Sequence, residues 1–147
     1  MPSRPADSPL PIAVLISGGG TTLRNLIERI SAGRLHAEIK LVISSSPSAG
    51  GLKFAAEAGI SSETVQRADF ASDADFSQAI FELCRSSGVE LVVMGGFLKY
   101  LPIAPDFENR VVNIHPGLIP AFCGKGMYGL RVHQAVLDYG AKVSGCT

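Results

Sequence analysis

Short runs of apolar residues alternate along the chain with longer segments in which apolar residues recur every three or four positions. Apolar runs of about four to eight residues are typical of buried strands, and the longer period is typical of one apolar face of a helix. The runs predict strands over 11–17, 39–44, 62–66, 90–95 and 110–114, and the start of another over 142–147. The periodic segments predict helices over 21–31, 51–58 and 131–139, a helix between a Ser72 or Asp73 cap and Gly88, and a turn or short helix over 102–107.

Strands that alternate with amphipathic helices predict right-handed βαβ units. The expected fold class is therefore α/β, a Rossmann-like and mostly parallel sheet with helices on both faces. Prolines at positions 2, 5 and 9, without the apolar segment of a signal peptide, predict a disordered tail over 1–10 and one domain over 11–147. In such sheets ligands bind beyond the carboxyl ends of the strands, where segments 18–22, 95–101 and 113–116 fall.

The segment SGGGTTL (17–23) joins a predicted strand to a predicted helix. Its glycines let the backbone approach a ligand closely. The N–H groups of Gly20, Thr21 and Thr22 would then lie at the positive end of the helix, which is a natural phosphate site. A tight turn with no ligand explains the same residues.

Two common nucleotide motifs fit this turn badly. A dinucleotide fingerprint needs a glycine where Leu23 stands, and a P-loop needs Gly-Lys-Ser/Thr, which is absent. The second predicted strand ends in serines at 44–46 rather than in the acidic residue that binds an NAD ribose. Because these hydroxyls suit a 2′-phosphate, NADP stays open as a ligand.

The segment Asn113-Ile114-His115-Pro116 ends an apolar run. In an extended chain Asn113 and His115 face one side while Ile114 points into the core, and Pro116 keeps His115 out of the helical region. An amide donor beside a group that transfers protons near neutral pH suits acyl transfer, with Asn113 on an oxyanion and His115 as acid. A histidine that caps a loop carbonyl explains the pattern as well.

The balance of charged residues and the number of cysteines limit which kinds of partner and which cellular compartment we expect. Thirteen basic residues balance thirteen acidic ones, which indicates no nucleic-acid partner, and no apolar run is long enough to span a membrane. Cys84, Cys123 and Cys146 are widely spaced and form no CxxC pair. We therefore expect no disulfide framework, no cysteine-rich zinc site and a reducing, cytoplasmic setting.

Four segments together resemble the folate-dependent formyltransferases over residues 11–147. They are VLISGGGTTLRNLI (14–27), LVVMGGFLKYL (91–101), NIHPGLIP (113–120) and GAKVSGCT (140–147). Within that family the resemblance is strongest to the members that formylate glycinamide ribonucleotide. It implies transfer of a formyl group from 10-formyltetrahydrofolate, as co-substrate and without a metal, to the amine of 5-phosphoribosylglycinamide in de novo purine biosynthesis.

The resemblance also implies roles for particular residues. The phosphate of the ribonucleotide would be bound by Gly20, Thr21 and Thr22. The folate would be bound by Leu98, Lys99, Tyr100, Leu101 and Asn113. Asn113 would hold the formyl oxygen, and His115 would act as the acid. The chain would work as a monomer or a homodimer.

The chain departs from the family pattern at several positions. Thr22 stands where the family commonly has asparagine, and Asp73 falls about where an arginine often meets the folate tail. The loop over 122–133 is longer than in the shortest members, and Lys125 in it is either a solvated lysine or an anion contact. The family's catalytic aspartate follows the strand that 140–147 begins, so we expect a truncated domain whose 147-residue piece has little or no activity.

Other functions remain open on the sequence. Sister enzymes would be a formyltetrahydrofolate deformylase, which uses water as acceptor, a methionyl-tRNA formyltransferase or a sugar-nucleotide formyltransferase. A different class is a non-catalytic module that binds NADP or another nucleotide on a Rossmann-like domain. The choice of ligand separates these classes.

Overall fold

A computed structural model of the chain describes residues 7–147 and shows two compact units, the first ending at Val112 and the second formed by Asn113–Thr147. The strands are β1 (Leu10–Ile16), β2 (Ala37–Ser44), β3 (Ser62–Thr64), β4 (Leu91–Met94) and β5 (Val111–Asn113). The α-helices are α1 (Thr21–Ser31), α2 (Gly51–Glu57), α3 (Asp73–Ser86) and α4 (Leu130–Tyr139), with 3-10 turns at Arg67–Asp69 and Pro105–Phe107.

The five strands form one sheet in the order β3-β2-β1-β4-β5. β1 pairs in parallel with both β2 and β4, and β2 pairs in parallel with β3. The strand order on either side of β1 requires crossover connections, and α1, α2 and α3 supply them. The predicted α/β class with a parallel sheet is confirmed.

β1 divides the core of the first unit into two halves, because its side chains alternate between the two faces of the sheet. Ala13 and Leu15 pack in one cluster with Phe76 and Ile80 of α3. Ile12, Val14 and Ile16 pack in the other cluster, which also contains residues of α1 and α2. Helices therefore cover both faces of the sheet, as predicted.

Two predictions at the end of the chain are corrected. The strand predicted over 110–114 ends at Asn113, and Ile114 is 57% exposed instead of pointing into the core. Pro116 has no N–H to continue a ladder, so the chain leaves the extended form here. Residues 142–147 form no strand, although Thr147 exchanges two backbone hydrogen bonds with His115, because one such pair does not make a ladder.

The remaining boundaries agree to within a few residues. The cap of α3 is Ser72, whose Oγ accepts a hydrogen bond of 3.1 Å from the N–H of Asp75. The predicted tail over 1–10 lies for the most part outside the described residues, and Leu10 already belongs to β1. That 11–147 act as one domain stays a prediction. Within residues 7–147 no helix has the length and apolar character to cross a bilayer.

The three cysteines are expected to differ in reactivity toward a thiol reagent. Burial on α3 raises the pKa of Cys84 to about 11, whereas Cys123 and Cys146 are exposed. A raised thiol pKa means less thiolate at pH 8, and the thiolate is the reactive form. Titration of the folded chain with an aromatic disulfide should modify two thiols quickly and the third only on unfolding. Rapid modification of Cys84 in the folded protein would contradict this assignment.

Candidate functional site

The glycine-rich turn follows β1 and leads directly into α1. Gly20 is the N-cap residue, with φ 73° and ψ 26°, and no side chain caps the helix. The first N–H groups of α1 therefore lack partners within the helix and lie at the positive end of its dipole. Thr21 is exposed and Thr22 is half-buried. The turn offers an anion both backbone donors and threonine hydroxyls.

Close packing between two helix starts gives Gly20 a second reason to be glycine. A Cβ atom on Gly20 would lie 2.4 Å from the Cα of Gly51, the first residue of α2. The N–H of Gly51 donates to the carbonyl oxygen of Gly18 at 3.0 Å. A Cβ atom on Gly18 or Gly19 would meet nothing within 4 Å. Gly20 is thus required by the approach of α2, while Gly18 and Gly19 leave open space beside the turn.

The serines that end β2 are engaged within the protein. Ser44 is fully buried, and its Oγ donates to the carbonyl oxygen of Ser46 at 2.7 Å and accepts from the N–H of Ser46 at 3.2 Å. Ser45 is 6% exposed, and its Oγ lies 2.6 Å from the Oγ of Ser17. Hydroxyls committed to these bonds are poorly placed to bind a 2′-phosphate, so the structure favours NADP less than the sequence does.

Segment 98–101, the expected folate stretch, lies in the loop after β4. Leu98 and Tyr100 are 54% and 74% exposed, and Lys99 is exposed as well. Leu101 is 7% exposed and belongs to the core cluster that contains Phe76. Two large apolar side chains beside a cation form a surface suited to a flat ring with an anionic tail. The side chain of Leu101 is instead an anchor for the loop.

Asp73, one of the positions at which the chain departs from the expected family pattern, forms an ion pair. Asp73 is the first residue of α3, and its carboxylate accepts a hydrogen bond from Nε of Arg67. Nη1 of the same guanidinium donates to the carbonyl oxygen of Phe70 at 2.7 Å. The negative charge that the sequence introduces at Asp73 is therefore countered locally by Arg67.

The Asn-x-His pair lies at the start of the second unit. Asn113 is exposed and His115 is half-buried. The N–H of His115 donates to the carbonyl oxygen of Thr147 at 2.7 Å, and the N–H of Thr147 donates back at 3.0 Å. This reciprocal pair is the arrangement of two opposed residues in antiparallel strands, and it fixes the backbone of His115.

The imidazole ring of His115 is held by one of its two nitrogens. Nε2 lies 2.9 Å from the carbonyl oxygen of Phe122. A carbonyl oxygen only accepts, so Nε2 carries the hydrogen. Within the described part of the chain Nδ1 has no hydrogen-bond partner. The bond at Nε2 therefore orients the ring and leaves Nδ1 available to a ligand.

Phe122 is itself held in an uncommon backbone conformation. Its φ is 50°, in the left-handed region that non-glycine residues seldom adopt. Its ring meets that of Tyr139, at the end of α4, edge-on with centroids 5.7 Å apart. Packing of the Phe122 side chain against α4 thus supports the conformation that aims its carbonyl group at His115. Lys125, in the same loop, is exposed.

Sequence reasoning missed several groups that bear on these segments. They are the hydroxyls of Ser17 and Ser77 and the carbonyl oxygen of Phe122, together with the bond that Ser17 makes to Ser45, a residue that the sequence indicates only as a possible phosphate ligand. Of the missed groups, Ser17 had a signal in the local sequence, since it stands at the end of a buried strand directly before the glycines. Among residues 7–147 there is no group of three or more His, Cys, Asp or Glu side chains placed to hold a metal ion.

Comparisons with known proteins agree on one family. A family model described as "Formyl transferase" matches residues 10–147. The chloroplastic phosphoribosylglycinamide formyltransferase of Arabidopsis thaliana is 37% identical over 139 residues, 92% of this chain and 48% of that protein. The phosphoribosylglycinamide formyltransferase of Haemophilus influenzae is 34% identical over 134 residues, 90% of this chain and 63% of that protein.

A solved structure gives the same result for the fold. The glycinamide ribonucleotide transformylase 1 from Symbiobacterium toebii superposes with a TM-score of 0.84 at 35% identity, covering 95% of this chain and 64% of that one. The chain spans about half of the plant relative and less than two thirds of the bacterial ones. The predicted formyltransferase fold is confirmed, and the chain belongs to the formyl transferase family.

Proposed function

We propose that the protein transfers a formyl group from 10-formyltetrahydrofolate to the amine of 5-phosphoribosylglycinamide, in de novo purine biosynthesis. Membership of the formyl transferase family supports the reaction class, and relatives named for this ribonucleotide support the acceptor. The observation within the chain that carries the proposal is the imidazole of His115. Its Nε2–H is engaged by the carbonyl oxygen of Phe122, and its Nδ1 is unpaired within the described residues.

The chemistry asks for a donor to an oxyanion and for a group that moves a proton. The amine nitrogen attacks the formyl carbon, and the C=O electron pair moves onto oxygen. The side-chain amide of Asn113 donates a hydrogen bond to that oxygen, and protonated His115 donates one to it from Nδ1. The C=O bond then re-forms as the bond from carbon to N10 of the folate breaks. The electron pair of that bond stays on N10, which takes up a proton as the attacking nitrogen loses one.

The first unit supplies the binding groups of the proposal. Gly20, Thr21 and Thr22 bind the phosphate of the ribonucleotide, because the start of α1 combines uncapped N–H groups with the positive end of the helix dipole. Leu98 and Tyr100 contact the folate ring, with Lys99 near its anionic tail and Leu101 contributing backbone atoms only. Gly20 also keeps its packing role against α2.

The decisive assay measures folate turnover with and without the acceptor. Because we expect the 147-residue piece to have little or no activity, the assay uses a form of the protein that extends past Thr147. We expect that form, incubated with 10-formyltetrahydrofolate, to release tetrahydrofolate only when 5-phosphoribosylglycinamide is present. Turnover without the ribonucleotide would show a deformylase that uses water, and formylation of methionyl-tRNA or of a sugar nucleotide instead would identify those sister activities.

Ligand binding tests the same proposal without turnover. A ligand that binds the folded state raises the unfolding free energy by RT ln(1 + [L]/Kd). At about 100 times Kd the gain is about 2.7 kcal/mol. We expect tetrahydrofolate and the ribonucleotide each to raise the melting temperature of the chain. Stabilisation by NADP with no effect of tetrahydrofolate would show the non-catalytic nucleotide-binding module instead.

The free cysteines support a cytoplasmic location for the protein, and its net charge bears on its partners. Cys123 and Cys146 are exposed and free, which fits the reducing cytoplasm. Balanced charge gives no net field that would attract nucleic acid, and the proposed partners are the two small substrates. A monomer or a homodimer stays the prediction for the oligomeric state.

A further inference from the structure

We propose that the hydroxyl groups of Ser17, Ser45 and Ser77 hold segment 98–101 in the conformation that binds the folate before the folate arrives. Ser17, oriented by Ser45, holds one end of the segment, and Ser77 holds the other. We call this arrangement the hydroxyl clamp. The inference rests on the proposed function, because it assigns positioning residues to the same binding stretch. None of the three serines needs to touch the ligand. All of the groups involved lie in the first unit.

The first arm of the clamp runs through Ser17. The backbone N–H of Leu98 donates to the Oγ of Ser17 at 2.9 Å, across 81 positions of sequence. The Oγ of Ser45, at the end of β2, lies 2.6 Å from the same oxygen. Ser45 is 6% exposed, and its N–H donates to the carbonyl oxygen of Ile16 at 3.0 Å. A buried hydroxyl on a fixed backbone thus sets the rotamer of Ser17.

The second arm of the clamp runs through Ser77 on α3. Its Oγ donates to the carbonyl oxygen of Pro102, directly after the folate stretch, and the residue is 5% exposed. Ser77 lies on the helix face that also buries Phe76 and Ile80. The helix that covers one face of the sheet therefore also holds the far end of the stretch.

The segment needs such support because no helix or strand hydrogen bonds among residues 7–147 hold its backbone. From 96 to 103 it has neither helix nor strand structure. Within the described part of the chain, the backbone groups of these residues that have hydrogen-bond partners are the N–H of Leu98 and the carbonyl of Pro102. Phe97 and Leu101 are buried, so apolar anchors add to the two hydroxyl contacts.

The exposed residues of the segment lie between the arms of the clamp. Leu98, Lys99 and Tyr100 are exposed there, whereas Phe97 and Leu101 on either side are buried. A loop that is ordered before binding does not lose conformational entropy when the ligand arrives, and this improves affinity without a new contact. The clamp therefore acts on folate affinity, with little effect on the phosphate turn beside Ser17.

Titration calorimetry on alanine variants tests the clamp. The probes are tetrahydrofolate and 5-phosphoribosylglycinamide, and the variants are Ser17→Ala, Ser45→Ala and Ser77→Ala. We expect Ser17→Ala and Ser77→Ala each to weaken tetrahydrofolate binding about fivefold, the effect of one net hydrogen bond, with the ribonucleotide Kd within about twofold. Ser86→Ala is the matched control, since Ser86 is exposed at the end of α3 and its Oγ donates to the carbonyl oxygen of Leu83 in the same helix.

A double-mutant cycle tests whether Ser45 acts through Ser17 or whether the two serines act independently. Because Ser45 acts through Ser17, the Ser17→Ala/Ser45→Ala variant should bind tetrahydrofolate about as weakly as Ser17→Ala alone. Ser17→Thr, which keeps the hydroxyl, should restore most of the affinity. The inference is overturned if the fold losses in tetrahydrofolate affinity of the two single variants multiply in the double variant. It is also overturned if ribonucleotide binding weakens as much as tetrahydrofolate binding.

Amide hydrogen exchange provides a readout that does not depend on the ligand. In Ser17→Ala the Leu98 amide should exchange at least about fivefold faster, while amides of β1 and β4 keep their rates. An unchanged Leu98 amide overturns the clamp even if folate binds. Failure of the wild-type chain to bind tetrahydrofolate overturns the proposed function and the folate part of this inference, whatever the amide shows.

Discussion

His115→Ala should lower kcat for formyl transfer by at least about 10²-fold while changing KM far less. The variant removes the Nδ1 that donates in the transition state, and a group that acts there affects kcat more than substrate binding. It also removes the bond from Nε2 to the carbonyl oxygen of Phe122, and one such bond contributes about 1 kcal/mol to stability. A 10²-fold change in rate corresponds to about 2.7 kcal/mol, which is larger than that structural effect.

The measurement is steady-state kinetics of a form of the protein that turns over 10-formyltetrahydrofolate. His133→Ala is the matched control, because His133 is exposed on α4 and has no role in the proposed chemistry. Thermal unfolding of both variants shows whether the fold is kept. If His115→Ala keeps the wild-type kcat, His115 does not take part in the reaction and the proposed mechanism is wrong.

Gly20→Ala should destabilise the fold by roughly 3 kcal/mol. The residue has φ 73°, where an L side chain costs about 1–2 kcal/mol. The new methyl group would lie 2.4 Å from the backbone of Gly51, and overpacking of this kind adds about 1–3 kcal/mol. Because the obstacle is main chain, no side-chain rotation relieves it. Urea unfolding followed by circular dichroism measures the change.

Gly19→Ala is the matched control for this prediction. Gly19 is in the same turn, but a Cβ atom there meets nothing within 4 Å and its φ is not in the left-handed region. Its unfolding free energy should stay within about 0.5 kcal/mol of wild type. Equal losses in the two variants would show that the turn as a whole, rather than the contact between Gly20 and Gly51, limits stability.

The predicted helices and strands were accurate where a local pattern determines the outcome. The helix over 21–31 begins and ends at those residues, because its apolar period and the glycines before it act within the segment itself. The helix for which the sequence predicts a Ser72 or Asp73 cap begins in the structure with Ser72 as its cap. Ile114 was placed wrongly, since the chain leaves the sheet at Asn113 and strand alternation no longer applies.

The candidate site was predictable in part for the same reason. The glycine-rich turn and the Asn-x-His-Pro segment are contiguous in sequence, so their residue types reveal them. The sequence left His115 open between capping a carbonyl and moving a proton. The ring does the first through Nε2, and Nδ1 is left for the second. The serine contacts join residues 28, 81 and 25 positions apart, and such distant pairs leave no pattern along one chain.

The central position of β1 has a consequence for the order in which the sheet assembles. Ile12 of β1 pairs with Ile39 of β2, but also with Leu91 of β4, so the second pairing closes a loop about three times as long. The entropic cost of closing a loop grows with the logarithm of the loop length. A threefold longer loop therefore costs about 1 kcal/mol more to close. During synthesis β1 and β2 are complete long before β4 has been made. The half of the sheet built on β1 and β2 can therefore nucleate first, and the loop that carries Leu98 and Tyr100 takes shape only when β4 docks.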